Sequence, residues 1–249
     1  MKNNNTTETL PKFDQYIDIL DNDTALSLML DNQAEAIDAI RESLPSINQA
    51  VTKIVKTLSQ NKKSKLIYVG AGTSGRIAVQ DGVELYPTFG WPKKNINFII
   101  AGGYKALTKS IEGAEDLSNE NSKIIVKNKI KNIDVVIGLA ASGSTKFTVE
   151  IIKHAKAIGA MTIGISNNKN SILEKTCDIP ILLNTGMEIV AGSTRLKAGT
   201  AQKICLNLIS TLVMTRLGNV KNGMMNNMVV TNQKLEKRKK IIENKLNSI

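Results

Sequence analysis

The sequence predicts an α/β protein, a five-stranded parallel sheet wrapped on both faces by helices and extended by further helices at each end. Three observations predict it. Short apolar runs recur at "KLIYVG" (65–70), "NINFIIA" (95–101), "DVVIGLA" (134–140), "MTIGIS" (161–166) and "DIPILL" (178–183), the pattern of strands buried on both faces. Helical segments lie between most of them, as right-handed crossovers between parallel strands require. A chain of 249 residues with 42% hydrophobic content is long enough to bury one large core.

The elements follow in chain order. An amphipathic stretch from Thr24 to Ser43 predicts a first helix. Pro45 and Ser46 read as the start of a second, in which Ile47, Ala50, Val51, Ile54, Val55 and Leu58 fall at helical spacing. The five runs and their crossovers come next. The connection from Pro180 to Ser193 is too short for another crossover helix. A long helix over about 193–217 and a basic helix from about 222 to the end close the chain. The expected division is a helical segment (1–60) packed on the core, a sheet domain (61–217) and a basic helix (218–249), all in one structural unit.

Composition narrows the function classes. No stretch reaches the roughly 20 apolar residues of a membrane span, and the polar start "MKNNNTTETLPKFDQ" carries no signal-peptide core. A soluble cytoplasmic protein without membrane contact is expected. Cys177 and Cys205 form no C-x-x-C pair and the single His154 has no ligand cluster around it, so neither a metal site nor a disulfide is expected. The formal charge is +11, but from Arg216 to Ile249 eight Lys or Arg stand against two Glu, so over half of it sits in the tail. No aromatic residues interleave with that run, which reads as a solvated helix face rather than a nucleic-acid surface. The remaining positive charge suits a small anionic substrate.

Two loops carry the functional signal. In "KLIYVGAGTSGR" (65–76), Gly70, Gly72 and Gly75 spell G-x-G-x-x-G. A dinucleotide site also needs an acidic residue at the end of the next strand, and that strand ends "IIAGG" instead. No nucleotide cofactor is expected. What the loop offers is Thr73 and Ser74 at a helix N-terminus, where free N–H groups and the helix dipole favour an anion. The loop "IGLAASGSTK" repeats the arrangement with Ser142, Ser144 and Thr145. Both belong at the carboxyl edge of the sheet, where open α/β sheets gather ligands. One compact phosphate with a sugar beside it fits this pair better than a pyrophosphate. The competing reading is plain N-capping by Ser and Thr.

The segments "GAGTSGR", "IEGAED", "AASGST" and "GMEIVAGSTRLKAGTAQK" together resemble the N-acetylmuramic acid 6-phosphate etherases of the sugar isomerase (SIS) fold group, with similarity from about Ile17 to "TNQKL" at 231–235. The resemblance implies a flavodoxin-like three-layer SIS sandwich and a homodimer. It also implies cleavage of the D-lactyl ether of a sugar phosphate without metal or nucleotide. Glu84, in "DGVELYPTFG", matches the family's proton-donor position, and Glu115, in "IEGAED", its second catalytic position. An ether leaves poorly as an alkoxide, so the reaction calls for an acid at the departing oxygen and a base at the carbon that loses a proton. Glu112 lies on the same helical face as Glu115. The chain departs from the family pattern at "DGVELY" and at "ASGSTKF", where Lys146 appears. Gly72, Thr73, Ser74, Ser142, Ser144 and Thr145 are the expected phosphate and substrate contacts. Glu188 and Ser193, beside Arg195, have two open readings, a capping turn for the long helix or contact with the sugar. A non-catalytic sugar-phosphate sensor and an aldose–ketose phosphate isomerase are the competing functions.

Overall fold

The computed structural model describes residues 6–9, 16–111, 113–114, 124, 127–230 and 233–247. The five apolar runs form β1 (Leu66–Gly70), β2 (Ile96–Ile100), β3 (Val135–Leu139), β4 (Met161–Ser166) and β5 (Ile179–Leu182). All pair in parallel, in the order β2-β1-β3-β4-β5. Strand order therefore reverses between β1 and β3, which opens a crevice beyond their carboxyl ends. Every residue of both strands is buried, which is why neither shows polar alternation.

Among the described residues, seven α-helices surround the sheet: α1 (Asn22–Gln60), α2 (Gly72–Val83), α3 (Leu85–Phe89), α4 (Lys146–Ala157), α5 (Ile172–Thr176), α6 (Lys197–Arg216) and α7 (Gln233–Asn247). Successive strand residues face opposite layers. Leu66, Tyr68, Val135 and Ile137 meet Ile40, Ile47 and Ile54 of α1 and Cys205 and Ile209 of α6 in one core. Ile67, Val69 and Val136 meet Phe147, Ile151 and Ile152 of α4 and Leu173 of α5 in the other.

Three expectations are corrected. The two N-terminal helices are one, because α1 runs through Pro45 without a break. A proline inside a helix costs about 3 kcal/mol, but Ile40, Ile47, Ala50, Val51, Ile54 and Leu58 present one continuous buried stripe that only an unbroken helix can seat. The long helix begins at Lys197 instead of Ser193, since residues 193–196 form a turn. The tail is not helical from 222: Val220–Lys221 pairs antiparallel with Met224–Met225 in a small hairpin, and α7 starts at Gln233.

The α2–α6 contact contains a polar knot. Asp81, on α2, accepts hydrogen bonds from Tyr68 Oη (3.0 Å), Asn207 Nδ2 (2.8 Å) and Ser210 Oγ (2.9 Å). Burial, and after it the Asp81 charge, hold the Tyr68 phenol well above its ordinary pKa, so it remains a donor. The knot ties α2 to both the central strand and α6. Replacing Asp81→Ala leaves buried donors without an acceptor, each costing about 1–3 kcal/mol. The expected loss is roughly 3 kcal/mol with an unchanged denaturant slope, read by equilibrium urea unfolding.

Candidate functional site

The β1–α2 loop is built around a backbone contact. A Cβ on Gly70 would stand 2.9 Å from Gly75 Cα and N, so only two glycines allow the first turn of α2 to lie directly on the end of β1. That packing aims the N-terminus of α2 into the crevice. The loop leading into α4 reaches the same crevice after β3, through Ser142 and Thr145.

A cleft of about 470 Å³ fills the crevice, within the usual range for small-molecule sites. Its lining includes Ala71, Gly72, Thr73 and Ser74 from the first loop and Ala140, Ala141, Ser142 and Thr145 from the second. The expected contacts Gly72, Thr73, Ser74, Ser142 and Thr145 are thus brought together. Ser144 stands one step back, donating to Ser142 Oγ through its N (3.2 Å) and Oγ (3.1 Å).

The capping pattern separates the two readings of these loops. Asp21 caps α1 by accepting from Thr24 N at 3.0 Å, and Ser171 caps α5 by accepting from Glu174 N at 3.2 Å. At the cleft the opposite holds: Ala71 before α2 and Thr145 before α4 make no side-chain cap. Thr73, Ser74 and Thr145 line the cleft, and the first N–H groups of both helices are left without a side-chain cap. Two helix ends without side-chain caps suit an anion.

Arg76 adds positive charge. It lines the cleft while its Nε donates to Ala106 O (2.9 Å) and its Nη2 to Lys109 O (3.1 Å), which fixes the 103–109 segment as a wall. Ser110, Thr194 and Glu8 also line the cleft. The sequence reading passed over all four. Arg76 and Thr194 sit inside motifs already quoted, but nothing in spacing alone shows which side of the loop they take.

Other expected residues lie elsewhere. Glu188 is completely buried, and its two carboxylate oxygens accept from Lys197 N (3.0 Å) and Ala198 N (2.9 Å). It closes the N-terminus of α6, the capping reading of the two left open. Lys197, also buried, pairs through Nζ with Glu35 of α1. Ser193 and Lys146 are outside the cleft lining, and so is Arg195. Glu84 is exposed at the joint between α2 and α3, in a separate groove of about 260 Å³ shared with Gln80, Asp81, Lys203 and Asn207. No described residue lines both places. Glu112 and Glu115 lie outside the described residues, while Ile111 and Ala114 beside them line the cleft. Among the described residues no three His, Cys, Asp or Glu side chains gather as metal ligands, and no helix is long and apolar enough to cross a membrane.

This sheet order is that of the flavodoxin-like doubly wound folds, and among them the chain is a SIS-domain protein. The SIS domain model matches residues 115–212, and the model of the glucokinase regulatory protein N-terminal SIS domain matches residues 46–156. A protein from E. coli CFT073 superposes with a TM-score of 0.57 at 17% identity, over 82% of this chain and 97% of that one. A phosphoheptose isomerase from Francisella tularensis gives 0.52 at 17% identity, over 78% and 97%.

Within that class, the chain belongs to the N-acetylmuramic acid 6-phosphate etherase family. It is 41% identical over 222 residues to the N-acetylmuramic acid 6-phosphate etherase of Deinococcus radiodurans, covering 89% of this chain and 72% of the relative. To that of Clostridium acetobutylicum it is 40% identical over 239 residues, covering 96% and 78%.

An acid built into the open end of α2 competes with any bound anion. Thr73→Asp is expected to keep or raise thermal stability, because a carboxylate in the first turn is favourable by about 0.3–1 kcal/mol. It should weaken inorganic phosphate binding by about tenfold or more, since like charges meet at close range. Calorimetric titration with phosphate measures this, and an unchanged affinity would remove the anion site from the cleft.

Proposed function

We propose that this protein cleaves the D-lactyl ether of N-acetylmuramic acid 6-phosphate, giving N-acetylglucosamine 6-phosphate and D-lactate by elimination and hydration. Two observations support the reading: kinship with etherases over most of the chain, and a cleft whose uncapped helix ends suit one phosphate. With the phosphate held there, the open-chain sugar presents its C1 aldehyde, which acidifies the C2 proton. A carboxylate removes that proton, the C2–C3 double bond forms, and the C3–O bond breaks as a carboxylic acid protonates the departing lactate oxygen. Water then adds at C3 and a proton returns to C2. Glu84 and Glu115 are the pair assigned to these duties. The reaction needs no metal or nucleotide.

The position of Glu84 places a condition on this mechanism. In one chain it faces a different groove from the serine loops, so a second copy must carry it to the cleft. An exposed apolar ridge along α1, made by Leu26, Leu30, Ile37 and Leu44, supports self-association. Burying such a ridge against a copy of itself is the usual way a closed dimer forms. Lactate release from N-acetylmuramic acid 6-phosphate tests the activity, and Glu84→Gln should abolish it while leaving the fold intact. Mixing Glu84→Gln with Thr73→Asp, at a substrate concentration too low for the weakened Thr73→Asp site to turn over, tests the shared site: random reassortment restores about a quarter of full activity if each site draws Glu84 from the partner, and none if it does not.

Glu84 lying outside the cleft also favours a second reading, a sensor that binds sugar phosphates without turnover. That protein would be stabilised against heat by sugar phosphates and would release no lactate.

A further inference from the structure

The first described turn of the chain, Thr6–Glu8, packs over the cleft. Thr7 is fully buried, and the Asn168 amide holds the turn with three of its four hydrogen bonds. Its Oδ1 accepts from Thr6 Oγ1 (3.0 Å) and Thr7 N (3.2 Å), and its Nδ2 donates to Thr7 Oγ1 (2.9 Å) and Ala141 O (3.0 Å). Ala141 lies in the second cleft loop, so one buried side chain anchors both the N-terminal turn and the phosphate loop. A fully satisfied buried amide is costly to break, and this one fixes where the next residue points.

The next residue is Glu8, which lines the cleft. Its carboxylate rests against Gly192, where a Cβ would stand 3.2 Å from Glu8 Oε2. Gly192 also has a φ of +72°, a conformation and a clearance that favour glycine there. Glu8 and Arg76 are the only ionisable side chains in the described lining. Among the described residues no hydrogen bond or ion pair engages the Glu8 carboxylate.

A carboxylate repels a phosphate at close range. Ionised, it only accepts hydrogen bonds, and those it accepts from neutral donors are charge-assisted and strong. In a cleft that also suits an anion, the fitting partner for Glu8 is a hydroxyl or amide N–H on the sugar. We propose that Glu8 is a specificity-determining residue: it accepts a hydrogen bond from the sugar while the phosphate lies on the open ends of α2 and α4, giving the ligand a single orientation. The inference rests on a sugar phosphate occupying the cleft, as in the etherase reading, but requires no turnover.

The test is calorimetric binding of N-acetylglucosamine 6-phosphate and of inorganic phosphate to the unmodified full chain and to Glu8→Ala and Glu8→Gln. Loss of a charge-assisted hydrogen bond weakens sugar-phosphate binding by about tenfold or more in Glu8→Ala, while inorganic phosphate binds equally or more tightly. Glu8→Gln, which keeps an acceptor oxygen, falls between. An unchanged preference for the sugar phosphate in Glu8→Ala overturns the proposal, and so does an equal loss for both ligands, which would mark a purely structural role. Glu8-dependent preference without lactate release defeats the etherase reading and leaves Glu8 standing. Lactate release with a preference indifferent to Glu8 does the reverse. An unmodified protein that does not prefer the sugar phosphate over phosphate defeats the inference outright.

Discussion

The contact between Gly70 and Gly75 governs the rest of the site. With no Cβ on either residue, the first turn of α2 sits against the last residue of β1, which brings Gly72, Thr73 and Ser74 into the lining of the cleft. A methyl group at Gly70 would meet the Gly75 backbone, which has no way to yield without tilting the helix. Shifting that helix would carry away Thr73, Ser74 and Arg76 together. It would also strain the Asp81 knot, which fixes the other end of α2 to Tyr68 and α6.

Much of the fold was legible because its cause is local. Strands buried on both faces must be apolar throughout, so β1 and β3 stand out as runs, and the two serine loops follow from their positions after those strands. Pro45 misled for the opposite reason. Its local rule is to begin a helix, but the buried stripe on both sides of it is a long-range demand and prevails. Glu188 was readable as a residue near the start of α6, yet its capping role depends on a turn that folds its carboxylate back onto Lys197 and Ala198. Glu8 was not legible at all. Its placement comes from Asn168, more than 150 residues away in sequence, and no periodicity or motif encodes such a contact.

Charge is divided within the cleft. Uncapped helix ends and Arg76 contribute positive potential without a single lysine in the described lining, so the formal charge of +11 is no guide to where an anion would bind. The excess in the tail belongs to the end of α6, the hairpin and α7, none of which lines the cleft among the described residues. Catalytic carboxylates placed directly beside the phosphate would oppose its binding. Under the proposed reaction, Glu84, in its separate groove, would keep proton transfer apart from anion capture.

The central claim is that the phosphate of the ligand sits between the two serine loops. A crystal structure with bound N-acetylglucosamine 6-phosphate tests it most directly. The phosphate oxygens should lie about 3 Å from the backbone N–H groups of the first turn of α2 and from the Ser142 or Thr145 hydroxyl. A phosphate found in the groove beside Glu84, or anywhere that leaves the cleft empty, would contradict it.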